Sequence, residues 1–184
     1  MSIQRERGLV LSELMFIVLL VSAMVLVVFV GRLSLDEARR TEAAKEAGVL
    51  LLKSLDELSA ESAAPPAAVR DRCKPGEAAA PKEGEPAEKT WTACREALTA
   101  AGGPLHEFKN PFEQDYAVFA EKCDRNNRTT RGAIVVEELL KGAPGQPATY
   151  APIAASRALE KDLGIRIAVC DKGSFVIKIG ESKL

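Results

Sequence analysis

The chain has 184 residues, the size of about one domain. Its 25 Lys+Arg against 26 Asp+Glu give a net charge of −1, which argues against a protein built to coat nucleic acid but leaves room for a local basic patch. The single histidine, His106, argues against a catalytic triad or a multi-histidine metal site, so any chemistry would fall to carboxylates or cysteines.

The 47% apolar content is unevenly spread, with much of the Leu and Val in the first 60 residues. From Leu14 to Val30 no residue is charged, and extending back to Leu9 gives 22 residues interrupted only by Glu13. As a helix, 22 residues span ~33 Å, about one hydrocarbon thickness. A core helix rarely stays apolar on every side for so long, so residues 9–30 read as a membrane segment. A cleaved secretory signal ending at Val21-Ser22-Ala23 is one reading, but it leaves a greasy new terminus and an acid inside the apolar region. A plain anchor leaves Glu13 unexplained, because a carboxylate at mid-membrane costs ~2.5–3.5 kcal/mol and generally has a partner or a function.

Gly8 follows the charged leader Met1–Arg7, and Glu13 is the fifth residue after it. This pattern, Gly8-Leu9-Val10-Leu11-Ser12-Glu13 ahead of an apolar helix, resembles the class III signal of type IV pilins and pseudopilins. The resemblance implies a leader over residues 1–8, cleavage by a prepilin peptidase between Gly8 and Leu9, N-methylation of Leu9, and a role for Glu13 in filament assembly. The implied partners are copies of the chain or related pilins, the peptidase, an inner-membrane assembly platform, and lipid before assembly. The implied location is the inner membrane with the head in the periplasm, then a surface pilus or periplasmic pseudopilus. Leu9 departs from the Phe or Met that is usual at the cut, and the mid-helix proline of many major pilins is missing, since no proline precedes Pro65. Physically, a new α-amino group beside lipid and the Glu13 carboxylate of a neighbouring helix would neutralise one another as helices bundle. The simpler alternative is that Glu13 complements its own helix dipole.

Beyond Val30, residues 31–59 lack proline and are rich in Ala, Leu, Glu, Lys and Arg. Ala44, Gly48, Leu51 or Leu52, Leu55 and Leu58 form an apolar stripe, so one helix of ~50 residues is expected, apolar all round and then amphipathic. Residues 60–89 hold five of the ten prolines and read as a loop. A short helix is expected at about Thr92–Ala101, closed by Gly102-Gly103. Strand-like runs follow at Tyr116–Glu121, Ala133–Val136, Ile165–Cys170 and Ser174–Ile179, the last two forming a hairpin with Gly173 at a positive-φ position. Residues 152–163 read as a helix, while Glu137–Lys141 fits either a strand or a helix. The expected fold is α+β, a long helix packed against a small antiparallel sheet in a head over residues 90–184. No internal repeat is present.

Cys73, Cys94, Cys123 and Cys170 all follow the apolar segment, without C-x-x-C spacing, which favours two disulfides over a zinc or redox site and implies no cofactor. Three connectivities are open. The pilin resemblance implies Cys73–Cys94 with Cys123–Cys170, the second matching the disulfide that closes the C-terminal region of many pilins. Positive-inside counting does not fix orientation, because Arg5 and Arg7 face Arg32, Arg39, Arg40 and Lys45 across the segment.

Lys122, Arg125, Arg128 and Arg131 lie within one stretch of ten residues. A solvated loop is the plainer reading, and contact with nucleic-acid phosphates or an anionic surface the sharper one. Asn127-Arg128-Thr129 matches a glycosylation sequon, and Asn110-Pro111-Phe112 reads as a turn that several pilin heads also carry. The calcium-loop pattern expected of a major secretion pseudopilin is not found. No catalytic residues are identified, so the chain reads as a structural subunit rather than an enzyme. The alternatives are a minor pilin, a type II secretion pseudopilin, or a membrane-anchored periplasmic binding domain that never polymerises.

Overall fold

Helix α1 runs over Ile3–Ser59, unbroken from the apolar run through residues 31–59 as the missing prolines and the helix-forming composition lead one to expect, and it begins six residues before Leu9, within the stretch read as a leader. The structure is a computed structural model and describes residues 3–60, 65–74, 89–140, 147–160 and 162–184, with the side chains of α1 from Leu11 onward. Two compact units divide the chain, Met1–Arg39 and Arg40–Leu184. Within the second unit Ala44, Leu51, Leu55 and Leu58 of the expected stripe are buried, and Ala47, which that stripe does not include, is buried with them. Gly48 completes that stripe. A Cβ on it would lie 3.0 Å from Ile179 Cγ1 and 3.0 Å from Val169 Cγ2, so its lack of a side chain lets the helix lie close on the sheet.

The segment read as a loop over residues 60–89 contains a short helix among its described residues, α2 (Ala67–Cys73). It starts directly after Pro66, whose φ of −53° is already helical, and it buries Val69 and Cys73 one turn apart. The remainder of that segment, residues 61–64 and 75–88, lies outside the described residues. Helix α3 (Trp91–Thr99) falls where expected, starting one residue before the expected range and ending two before its close. The Thr90 side chain caps it by accepting from Ala93 N at 3.3 Å, and Trp91, Cys94, Ala97 and Leu98 form its buried face. Gly102 turns the chain away at φ +83°, a conformation that favours glycine. Cys73 is bonded to Cys94, tying α2 to α3.

The sheet contains β1 (Phe119–Ala120), β2 (Ile134–Leu140), β3 (Thr149–Pro152), β4 (Gly164–Cys170) and β5 (Val176–Lys183). Strand β2 is central. One edge pairs antiparallel with β4, and the other is shared by β1, parallel to residues 134–135, and β3, antiparallel to residues 137–140. Strand β4 pairs antiparallel with β5, and a bulge on β5 admits Ile179 between the partners of Ile167 and Ala168. Ile134, Val136, Ile165, Ile167 and Val169 join the α1 stripe in one core. Glu137–Leu140, undecided on sequence, is therefore strand, and Lys141 lies outside the described residues.

Three further expectations are corrected. The strand read over Tyr116–Glu121 shrinks to Phe119–Ala120, because Tyr116 closes a turn onto Glu113 O at 3.1 Å and Ala117 O is taken by the Asn110 side chain. The helix read over residues 152–163 does not form. Pro152 ends β3, and the carbonyls of Ala155 and Arg157 accept the N–H groups of Thr92 and Trp91 at 3.0 and 2.9 Å. The orphan donors at the start of α3 thus take acceptors that a helix would have kept for itself. The β4–β5 hairpin forms, but positive φ falls on Ser174 (+57°) and not on Gly173. Ser174 N donates to Asp171 O at 3.0 Å and Asp171 N to Phe175 O at 2.9 Å, a turn whose next residue is left-handed. The Asp171 carboxylate accepts from Gly173 N and Phe175 N at 2.7 and 2.8 Å, which fixes the turn one residue later than the glycine suggests.

Candidate functional site

Two features stand apart from ordinary core and surface. The first is the apolar half of α1. Between Leu11 and Val30 its large apolar side chains are all exposed, Met24 at 68% and Val27 at 69% among them. The helix is long and apolar enough to cross a membrane. Burying one such side chain contributes ~1.5–3 kcal/mol, so this surface requires lipid or protein around it. Glu13 is the single carboxylate on it. It lies ten residues from the first residue of α1, Ile3, about 15 Å along the axis, beyond the turn over which a helix dipole acts. Were the chain cut after Gly8, the same acid would stand near the new helix end. Gly8 and Leu9 belong to α1, and their side chains lie outside the described residues.

The second feature is the loop around Cys123. Cys123 is bonded to Cys170 at the end of β4, and Cys73 to Cys94, one of the three connectivities that the sequence leaves open. The loop is held at several further points. Thr130 Oγ1 donates to Asn127 O at 2.9 Å and lies 3.3 Å from the buried Ser174 hydroxyl. Asn127 Oδ1 accepts from Thr129 N at 3.0 Å, capping a 3-10 turn over Arg128–Thr130. Asn110, 3% exposed, reaches in from the Asn-Pro-Phe turn. Its Nδ2 donates to Ala117 O at 3.1 Å and Arg131 O at 2.8 Å, and its Oδ1 accepts from Phe112 N at 3.0 Å. Gly132, at φ +70°, leaves room for this side chain, since a Cβ there would lie 2.6 Å from Asn110 Oδ1.

On this frame Lys122, Arg125 and Arg128 are exposed and Arg131 is half-buried. None of the four forms an ion pair among the described residues. Arg125 instead lies over the ring of Phe175, 4.1 Å from its centroid. Phe175 and Val176, each 51% exposed, carry no sequence signal beyond two apolar residues beside a turn, and only the fold brings them to the basic loop. The sequon asparagine, Asn127, is exposed and engaged with Thr129.

Other polar groups serve the fold. Arg157 Nε donates to Glu138 Oε2 at 2.8 Å, and this carboxylate holds the guanidinium above its ordinary pKa. Arg166 Nε donates to Glu137 Oε2 at 2.6 Å and lies 4.1 Å over the Tyr150 ring. Partial desolvation and the neighbouring Glu181 raise the Tyr150 phenol above its usual value. His106 is exposed, its Nδ1 3.5 Å from Thr99 O. Among the described residues no group of three His, Cys, Asp or Glu could hold a metal ion.

No family model matches the chain, and neither a curated protein nor a solved structure matches it.

Proposed function

We propose that the chain is a structural subunit of a type IV pilus-like filament, made as a precursor, cut after Gly8 and assembled through its apolar helix. One observation carries the reading: a lone carboxylate, Glu13, five residues after a glycine and within a helical stretch whose apolar side chains are exposed all round. A plain anchor needs the apolar surface but not the acid at that spacing. Processing at Gly8 would leave a cationic amino terminus at Leu9, and a neighbour's Glu13 supplies the counter-charge in a medium where an unpaired charge is far costlier than a paired one. The amphipathic remainder of α1 then carries a head stapled by two disulfides, as suits an oxidising compartment.

The test is the intact mass of the protein from its native envelope, without reductant. The expected mass lacks residues 1–8, carries one extra methyl and is four hydrogens light. Full-length mass would identify a membrane-anchored domain that does not polymerise, and the filament reading would be abandoned. A Gly8→Val variant is expected to stay unprocessed and unassembled. Whether the subunit is a major pilin, a minor pilin or a pseudopilin is decided by its abundance in purified filaments.

A further inference from the structure

The basic loop sits at a defined end of the head. Arg40 of α1 donates to Phe112 O at 3.1 Å, a Cβ on Gly132 would lie 2.7 Å from the Phe112 ring, and Gly132 N donates to Cys170 O at 2.8 Å. At the other end of the sheet, Ser182 and Lys183 of β5 meet Asp56 and Ser59 of α1 through side-chain hydrogen bonds. The loop and the hairpin tip thus share the end of the head where α1 enters it. Only nine residues lie between Val30, the last of the apolar run, and Arg40, a tether of at most ~35 Å even when fully extended.

We propose that the surface formed by Lys122, Arg125, Arg128 and the Phe175–Val176 tip docks on an anionic lipid bilayer. The inference rests on the membrane-spanning reading of α1 and not on filament assembly. Two exposed apolar side chains beside cations that have no ion pair among the described residues are suited to a charged interface with an apolar layer beneath it. The nearby acids Asp124 and Asp171 do not neutralise these cations by ion pairing, because their carboxylates cap turns, accepting from Asn126 N and from Gly173 N and Phe175 N. The disulfide and the Asn110 and Thr130 hydrogen bonds hold the loop in shape before it meets the surface, which lowers the entropy lost on docking. A nucleic acid would use the same cations but has no need of Val176.

The full chain carrying Phe175→Trp is reconstituted in vesicles of phosphatidylcholine alone or with phosphatidylglycerol, and its emission is quenched by lipids spin-labelled near the headgroup, wild-type emission from Trp91 being subtracted. Quenching is expected with phosphatidylglycerol, to weaken with added salt, and to fall to the phosphatidylcholine level in Lys122→Gln/Arg125→Gln/Arg128→Gln. Each base contributes about five-fold to the docked population, so the triple change removes about a hundred-fold. Equal quenching in both lipids, or a triple variant that quenches like its parent, overturns the proposal. Protection of the probe by oligothymidylate with no effect of lipid charge assigns the surface to nucleic acid and overturns it as well. Phe16→Trp, quenched by deep labels in both lipids, separates the readings: its failure removes the membrane span and docking together, and failure of the Phe175 probe alone removes only docking.

Discussion

Asn110 is the strictest test of how the loop region is held. Its side chain makes three hydrogen bonds, two donated to the carbonyls of Ala117 and Arg131 and one accepted from Phe112 N. Asn110→Ala removes all three and strands groups in a place where the side chain is 3% exposed. At about 1 kcal/mol net for each bond the loss is about 3 kcal/mol, or roughly 6–12 °C in Tm for a unit of this size. Asn110→Asp keeps the shape but points a carboxylate at two carbonyl oxygens, at 3.1 and 2.8 Å in the parent. Its folded pKa must therefore lie above the unfolded one, so the variant is most stable below the ordinary carboxylate pKa and loses stability as pH rises through the raised value. Thermal unfolding of the full chain in non-ionic detergent reads this out through Trp91, which is 5% exposed and packed edge-on against Phe119. An alanine variant within ~0.5 kcal/mol of wild type, or an aspartate variant indifferent to pH between 4 and 8, would refute the reasoning.

Replacing Cys123 and Cys170 by alanine opens a 47-residue separation and should cost about 4 kcal/mol, against about 3.3 kcal/mol for Cys73 and Cys94 at 21, as guanidinium midpoints without reductant would show. Leu51→Ala or Leu55→Ala, each at a fully buried position on α1, should cost about 2–5 kcal/mol in the same titration. Glu13→Val should leave processing intact and abolish filaments in electron micrographs of cell surfaces; normal filaments would remove its proposed role. Tyr150 should ionise above the ordinary tyrosine value in an ultraviolet titration, and Glu181→Gln should bring it down. Because the folded-state pKa is raised, its contribution to stability is present below the unfolded value of about 10 and lost as pH rises beyond it.

Sequence patterning carried furthest where one period dominates. The α1 stripe follows from the spacing of Ala44, Gly48, Leu51, Leu55 and Leu58, and α3 from its closing glycines. Patterning failed where distant partners decided the local state. Residues 152–163 look helical because their alanines and charged residues favour a helix, yet the backbone of Ala155 and Arg157 is committed to α3, more than fifty residues back in the chain. Gly173 looked like the left-handed residue, but the Asp171 carboxylate set the turn so that Ser174 took that conformation. The four-residue step from Val69 to Cys73, the buried face of α2, is too short to register as a period. Within the candidate site the four bases are visible as a run, whereas Phe175 joins them only through the Cys123–Cys170 bond and the hairpin.

The bond between Cys73 and Cys94 also sets how far this chain can change in length. Both sulfurs are buried, one at the last residue of α2 and the other inside α3, so the two helices stay joined whatever the chain between them is. Closing a ring twice as long costs only ~0.6 kcal/mol more, a small fraction of what the bond itself contributes. The tie between α2 and α3 would therefore survive a longer ring with little loss, provided that Lys89, Thr90 and Trp91, which the fold holds at the start of α3, keep their places.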